Sequence, residues 1–437
     1  MNGTVPIDRS LVETILTENG IDDLGRASIR EIVRVASEVE RRSGVPFIRM
    51  EMGIPGLPSP SIGATAQIEA LHRGVSAQYP PIDGIPELKH ETARFVRLFL
   101  DIEVDPAGCV PVVGSMEGAF ATFLVANRND HTRKGTLFID PGFPVQKQQC
   151  TMLGHEYDTF DISRYRGALL RDQLELHLKR EHISSILYSN PNNPAWVCLT
   201  DEELQIIGDL SRTYDVTVIE DLAYFGMDFR RDYSRPGKPP YQPTVAKYTD
   251  NYILLLSASK MFSYAGERLG MIIVSRELYN RRYPDLTRYY ASDRFGHALI
   301  YGAIYALTAG TSHSAQHAAA AMLKAANDGE LDFVGETREY GRRAEAMKRQ
   351  FLDRGFTIVY DRDGDEPIGD GFFFTIAYPG MDANTLMREL MRVGISTMGL
   401  GIAGSAYPDG LRVCVSRFTV DDEPLLRERL RQFQAAR

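Results

Sequence analysis

From about residue 108 the chain alternates short apolar runs with stretches of helical periodicity, and this constrains its fold more than any other feature. The runs are Cys109–Val113, Thr136–Ile139, Ser184–Tyr188, Val216–Ile219 and Asn251–Leu256. Each is too short for a typical helix and reads as a strand buried on both faces. Between them lie helical stretches such as Met116–Arg128 and Asp201–Tyr214, the second opened by a capping box of Thr200 and Glu203. Strands and helices in alternation predict an α/β fold, a three-layer α/β/α domain around a mostly parallel sheet.

The flanking regions divide the chain further. Residues 1–60 read as an N-terminal arm and part of a small domain, 61–310 as the large domain, and 311–437 as a C-terminal α+β part of the small domain. Residues 1–45 are charged and helical in spacing, with Ala27–Glu40 the clearest stretch. Two Pro/Gly loops follow, Gly53–Pro60 and Gln78–Leu88, and an Ala-rich helix is predicted over Ser312–Ala326. Asp361–Glu366 reads as a solvated acidic loop.

Bulk properties remove several function classes. With 43% hydrophobic and 24% charged residues the composition is that of a globular protein. A net charge of −9 argues against nucleic acid or an anionic membrane as partner. No apolar run reaches the roughly 18 residues of a membrane span, and the first residues lack a basic segment followed by an apolar core, so a cytoplasmic protein is expected. Cys109, Cys150, Cys198 and Cys414 form no Cys-x-x-Cys pair and read as reduced core thiols; no metal site is expected. His177 and His182, in a charged helical stretch, read as solvated.

Chemistry concentrates where the predicted strands end, the place where open α/β sheets bind ligands. Ser257-Ala-Ser-Lys260 follows the run 251–256, with Arg268 eight residues on. Taken alone, Lys260 is an ordinary solvated lysine. Ser257-x-x-Lys260 also matches a serine β-lactamase pattern, but the sequence offers only Ser292-Asp293-Arg294 for Ser-Asp-Asn and has no Lys-Thr-Gly. The other strand ends decide the matter. Ser115, Met116 and Glu117 open a helix after the run 109–113, and a helix N-terminus with a hydroxyl is an anion site, provided that Glu117 points away. Phe143 follows 136–139. Asn190-Pro-Asn-Asn193-Pro194 follows 184–188, and Asp221 and Tyr224 follow 216–219. Asp221 lies where a charge is costly unless a cation meets it.

Together these residues supply what a phosphorylated pyridine aldehyde requires. Lys260 provides the amine for a Schiff base. Ser115 with its helix start, Ser257 and Arg268 provide donors and positive charge for the phosphate. Asp221 holds a proton on the pyridine nitrogen, Asn193 and Tyr224 meet the phenolic oxygen, and Phe143 covers the ring face.

At this point the chain resembles the class I/II pyridoxal-phosphate-dependent aminotransferases, enzymes of fold type I. The resemblance rests on Ser257-x-Ser-Lys260-x5-Gly266-x-Arg268-x-Gly270, Asn190-Pro-x-Asn193-Pro194 and Asp221-x-Ala-Tyr224, and runs from about Gly53 to Arg412. It implies a pyridoxal 5'-phosphate cofactor and transfer of an amino group from an L-amino acid to a 2-oxo acid. It also implies a homodimer in which Tyr79 reaches the neighbouring site, and an Arg412 that pairs with the substrate α-carboxylate near Gly53. Other fold-type I outcomes (β-elimination, decarboxylation, ring formation) use the same residues and stay open. A ligand-sensing module is a further alternative, opposed by the short, acidic stretch before Gly53. The sequence departs from the family at Ala195-Trp196, where Thr-Gly is usual; Trp196 either shapes the pocket or packs. No clear second arginine for a distal carboxylate is evident; Arg288 and Arg294 lie in the right region, and a dicarboxylic donor is neither supported nor excluded. Gly399-x-Gly401-x-x-Gly404 matches the dinucleotide fingerprint, but Pro408 spoils the helix that fingerprint needs.

Overall fold

The computed structural model describes residues 5–436. At its centre is a seven-stranded sheet: β1 Cys109–Val112, β2 Gly135–Asp140, β3 Tyr157–Asp161, β4 Ile183–Ser189, β5 Thr217–Leu222, β6 Tyr252–Ser257 and β7 Gly270–Val274. The spatial order is β1-β7-β6-β5-β4-β2-β3, parallel throughout except that β7 runs antiparallel to both neighbours. Five strands are the predicted apolar runs. The sequence reading missed β3 and β7. The first is an edge strand whose opening Tyr157-Asp-Thr is polar or exposed, so it lacks the buried-strand signature.

Alternation of side chains across the sheet builds two cores. Leu137, Ile186, Val218 and Leu254 face one layer of helices; Phe138, Leu187, Ile219 and Ile253 face the other. Helices Pro86–Leu100 and Asp201–Tyr214 cover the first face, and Gly114–Ala126 covers the second. The capping box of Thr200 and Glu203 is formed as expected. Among the described residues no helix is long and apolar enough to cross a membrane.

A third core joins the two ends of the chain. It lies between the four-stranded antiparallel sheet of Met398–Gly399, Leu411–Cys414, Phe373–Ala377 and Thr357–Ile358 and helices that include Ile29–Ser43 and Ala383–Arg392. Ile48–Arg49 pairs in parallel with Ile395–Ser396, which draws the N-terminal segment into this unit. Helix His313–Asn327, capped by Ser312, packs instead on Ser61–His72 and Pro86–Leu100 and contributes to the core of the large sheet.

Two surface readings are corrected. His177 is buried, with Nδ1 2.8 Å from an Asp158 carboxylate oxygen and its ring stacked on Phe160. Both partners lie on β3, the strand that local pattern did not reveal. Asp363, in the supposedly solvated acidic loop, is also buried; it accepts from Arg166 and Arg230, at 2.5 and 2.6 Å. Buried acids require such partners, and these stand 197 and 133 residues away in sequence. Of the cysteines, all free, Cys198 is only half-buried and the other three are core residues. The Gly399–Gly404 loop forms a single 3-10 turn rather than opening a longer helix, as Pro408 led us to expect.

Candidate active site

Lys260 sits on a one-turn helix, Ala258–Met261, where β6 ends. Ser257 caps it, its hydroxyl accepting from the Ser259 N–H at 3.2 Å. The Lys260 ammonium donates to the Gly53 carbonyl and lies 5.7 Å from the Phe372 ring centroid. No acid pairs with it among the described residues. Desolvation pulls its pKa down from 10.5 to about 8, assisted by the charges of Arg268 and Arg412, while Cys414 pushes the other way.

Backbone geometry brings the anion-binding candidates to one place. Ser257 is paired in register with Gly270 at the start of β7. A side chain added at Gly270 would lie 2.7 Å from the Ser115 amide nitrogen. One added at Gly114, whose φ is +72°, would lie 2.6 Å from an Arg268 guanidinium nitrogen. The two glycines thus let the arginine and the helix start close on each other. Glu117 does point away, since its carboxylate accepts from the Val113 N–H at 2.5 Å and the Thr308 hydroxyl at 2.6 Å. Met116 exposes its side chain, so both residues offer only backbone N–H groups to an anion.

Asp221, on β5, is buried and meets only neutral donors: Gln146 at 2.8 Å and the Ala223 N–H at 3.1 Å. Burial pushes its pKa up to about 6. Gln146, which the sequence reading missed, comes from the helix that starts just after the half-buried Phe143. A polar residue one turn into a helix after a strand end was the only available signal.

Arg412 is 1% exposed. It donates to the Asn193 amide oxygen at 3.1 Å and to the Glu51 carbonyl, and its guanidinium lies over the Phe373 ring, 4.5 Å from the centroid. Its Nε has no partner, and no carboxylate among the described residues pairs with it. Burial lowers its pKa. The contrast with a cavity of about 610 Å³ behind Asn190 is plain: Arg166, Arg230 and Arg231 line that cavity, and all three are ion-paired. Tyr224 is buried beside Phe372 and Phe373, and its pKa is raised by burial. The doubled Asn-Pro pattern divides its labour. Asn190 and Asn192 fix the loop through the Leu199 and Ala195 N–H groups, leaving Asn193 to meet Arg412.

The remaining candidates lie elsewhere. Tyr79 is 91% exposed and lies outside this cluster. Arg288 is a surface residue paired with Asp285, and Arg294 is likewise exposed. Trp196 is fully buried with φ +66°, a conformation that costs a bulky residue about 1–2 kcal/mol.

The residues present fit pyridoxal 5'-phosphate. A buried carboxyl without a cation, a buried guanidinium without an acid, an unpaired lysine and an anion cradle converge, each lacking the opposite charge that the cofactor or its substrate carries. The family model "Aminotransferase class I and II" matches residues 53–422, and the chain belongs to that family. An aspartate aminotransferase of Pyrococcus horikoshii is 25% identical over 255 residues, 58% of this chain and 61% of that protein. An LL-diaminopimelate aminotransferase of Aquifex aeolicus is 28% identical over 240 residues, 54% and 59%. The chain therefore spans about three fifths of the length of these curated relatives. A solved aspartate aminotransferase from Thermus thermophilus with maleate superposes with a TM-score of 0.72 at 19% identity, covering 93% of this chain and 96% of that one. That likeness bears out the mostly parallel α/β fold.

Proposed function

We propose that the protein is a pyridoxal-phosphate-dependent aminotransferase that moves an amino group between an L-amino acid and a 2-oxo acid. The observation that carries this reading is the unpaired guanidinium of Arg412 buried in the same cleft as an unpaired, pKa-lowered Lys260. When bound, the cofactor supplies an electron-accepting ring conjugated to the substrate nitrogen.

The chain's own residues do the rest. Lys260 would supply the amine that holds the cofactor aldehyde. Ser115, Ser257, Arg268 and the N–H groups of Met116 and Glu117 hold the phosphate. Asp221, steadied by Gln146, keeps a proton on the ring nitrogen. Asn193 and Tyr224 meet the opposite edge, and Phe143 covers the ring face. Arg412 receives the α-carboxylate in a bidentate pair. Freed by the substrate amine, Lys260 would take the proton from the substrate Cα as general base and deliver it, as general acid, to the carbon that had been the cofactor's aldehyde carbon. The desolvation that lowers the Lys260 pKa in the cofactor-free protein favours the neutral amine that a general base needs.

The test is incubation with amino donors in the absence of an acceptor. Pyridoxamine phosphate and a 2-oxo acid are expected; pyruvate with ammonia, or carbon dioxide, would transfer the site to an elimination or a decarboxylation. Asp221→Asn should weaken cofactor retention by about 10–100-fold in equilibrium dialysis, the loss of one charge-assisted hydrogen bond. Unchanged retention would remove Asp221 from the ring nitrogen.

The protein acts as a cytoplasmic homodimer in this reading. The exposure of Tyr79, Met116, Tyr301 and Tyr305 supports a covered face. Sedimentation should give a particle of two chains, and a monomer at micromolar concentration would refute it.

A further inference from the structure

We propose that Trp196 is a positioning residue for the carboxylate-binding Arg412, acting through Phe373, with Gly371 as the hollow that receives its indole. The inference rests on the reading of Arg412 as the carboxylate site.

Trp196 is the only tryptophan of the chain, and its backbone is left-handed, with φ +66°. Glycine would adopt that conformation without strain, so a bulky residue there implies that the side chain itself is used. The indole meets Tyr224 and Phe373 edge-on, with centroids 5.5 and 6.2 Å away and planes inclined by 69° and 70°. Phe373 is the ring beneath the Arg412 guanidinium. A side chain added at Gly53 would come within 2.9 Å of the same ring. Phe373 is therefore confined by Trp196 and the Gly53 segment and presents its face to the arginine. The bend works at both ends. The Trp196 N–H donates to the Asn192 carbonyl at 3.1 Å, closing the turn that delivers Asn193 to Arg412. A guanidinium with no acid to hold it depends on such neutral supports for its direction.

Gly371 completes the arrangement. A Cβ there would lie 2.0, 2.1 and 2.2 Å from three indole atoms, so any side chain at 371 must evict the ring. The two positions should then behave as one unit.

The test uses cofactor-loaded enzyme and two constants: KM for the best amino donor, and Kd for 3-phenylpropionate by calorimetry, a probe with a carboxylate and no amine. Trp196→Gly relieves the backbone strain while removing the ring. Both constants are expected to rise about tenfold with kcat within about threefold, the signature of lost ground-state positioning. Trp196→Phe should recover most of the loss. Gly371→Ala should reproduce it, and the double variant Trp196→Gly/Gly371→Ala should be no worse than Trp196→Gly alone. Constants within about twofold of wild type in Trp196→Gly, a loss confined to kcat, or additive damage in the double variant would each overturn the proposal. Should the glycine variant not accumulate, Gly371→Ala decides by the same constants. Arg412→Ala is the control: if it leaves probe binding intact, the carboxylate reading is at fault; if it abolishes binding while Trp196 is indifferent, only the present inference falls.

Discussion

Lys260→Ala should abolish turnover, with kcat reduced by at least about 10⁴-fold, because it removes both the covalent anchor and the base. Borohydride should fix the cofactor to wild type and not to the variant. A near-normal rate would end the aminotransferase reading. The same residue carries a stability prediction with a definite sign. Its folded pKa of about 8 lies below the ordinary 10.5. Below pH 8 both folded and unfolded chains hold the proton, and the folded state bears the full cost of burying it. Between about 8 and 10.5 only the unfolded chain keeps the proton, so that cost fades as pH rises. Cofactor-free Lys260→Met should therefore unfold at a higher temperature than wild type at pH 7, with the gap closing towards pH 10.5. A gap that is absent at pH 7, or that widens with pH, would contradict the desolvation account.

Arg412→Ala should lower kcat/KM for amino acids by about 10²–10³-fold, since truncating one partner of a buried charge pair costs about 2–5 kcal/mol. Without substrate, the balance reverses. The guanidinium is 1% exposed and ion-paired with no acid among the described residues, so the protein without substrate bears a buried charge that Glu51 offsets only from beyond ion-pair distance. Arg412→Met, which keeps most of the packing against Phe373, should raise the melting temperature of the cofactor-free protein. Differential scanning calorimetry decides it. A fall of several degrees would mean that the arginine is structural and that its neutral contacts suffice to stabilise it.

Much of this cleft was legible in the sequence because parallel sheets place chemistry at strand ends, and strand ends are local features. Lys260, Asp221, Asn193 and Ser115 each follow an apolar run, and the structure gathers them with Arg412 and Arg268. What was not legible depends on partners distant in the chain. Gln146 supports Asp221 across 75 residues, and Phe373 faces Arg412 through antiparallel pairing. His177 reads as solvated until β3 supplies its partners, and Asp363 until Arg166 and Arg230 do. Strand β7 follows the Arg268 loop directly, so its apolar run merged with the motif before it. Tyr79 belongs to no local pattern and was reached only through the family resemblance.

The segment around Met50 has a temporal consequence. Its N–H donates to Ser396 and its carbonyl accepts from Cys414, both at 2.9 Å, and three residues later Gly53 meets Lys260. During synthesis the early segment must wait for the last strand, on the order of 20–70 s at ordinary elongation rates. Nascent chains stalled before Cys414 should therefore not retain the vitamer, and holoenzyme assembly has to await the emergence of that strand.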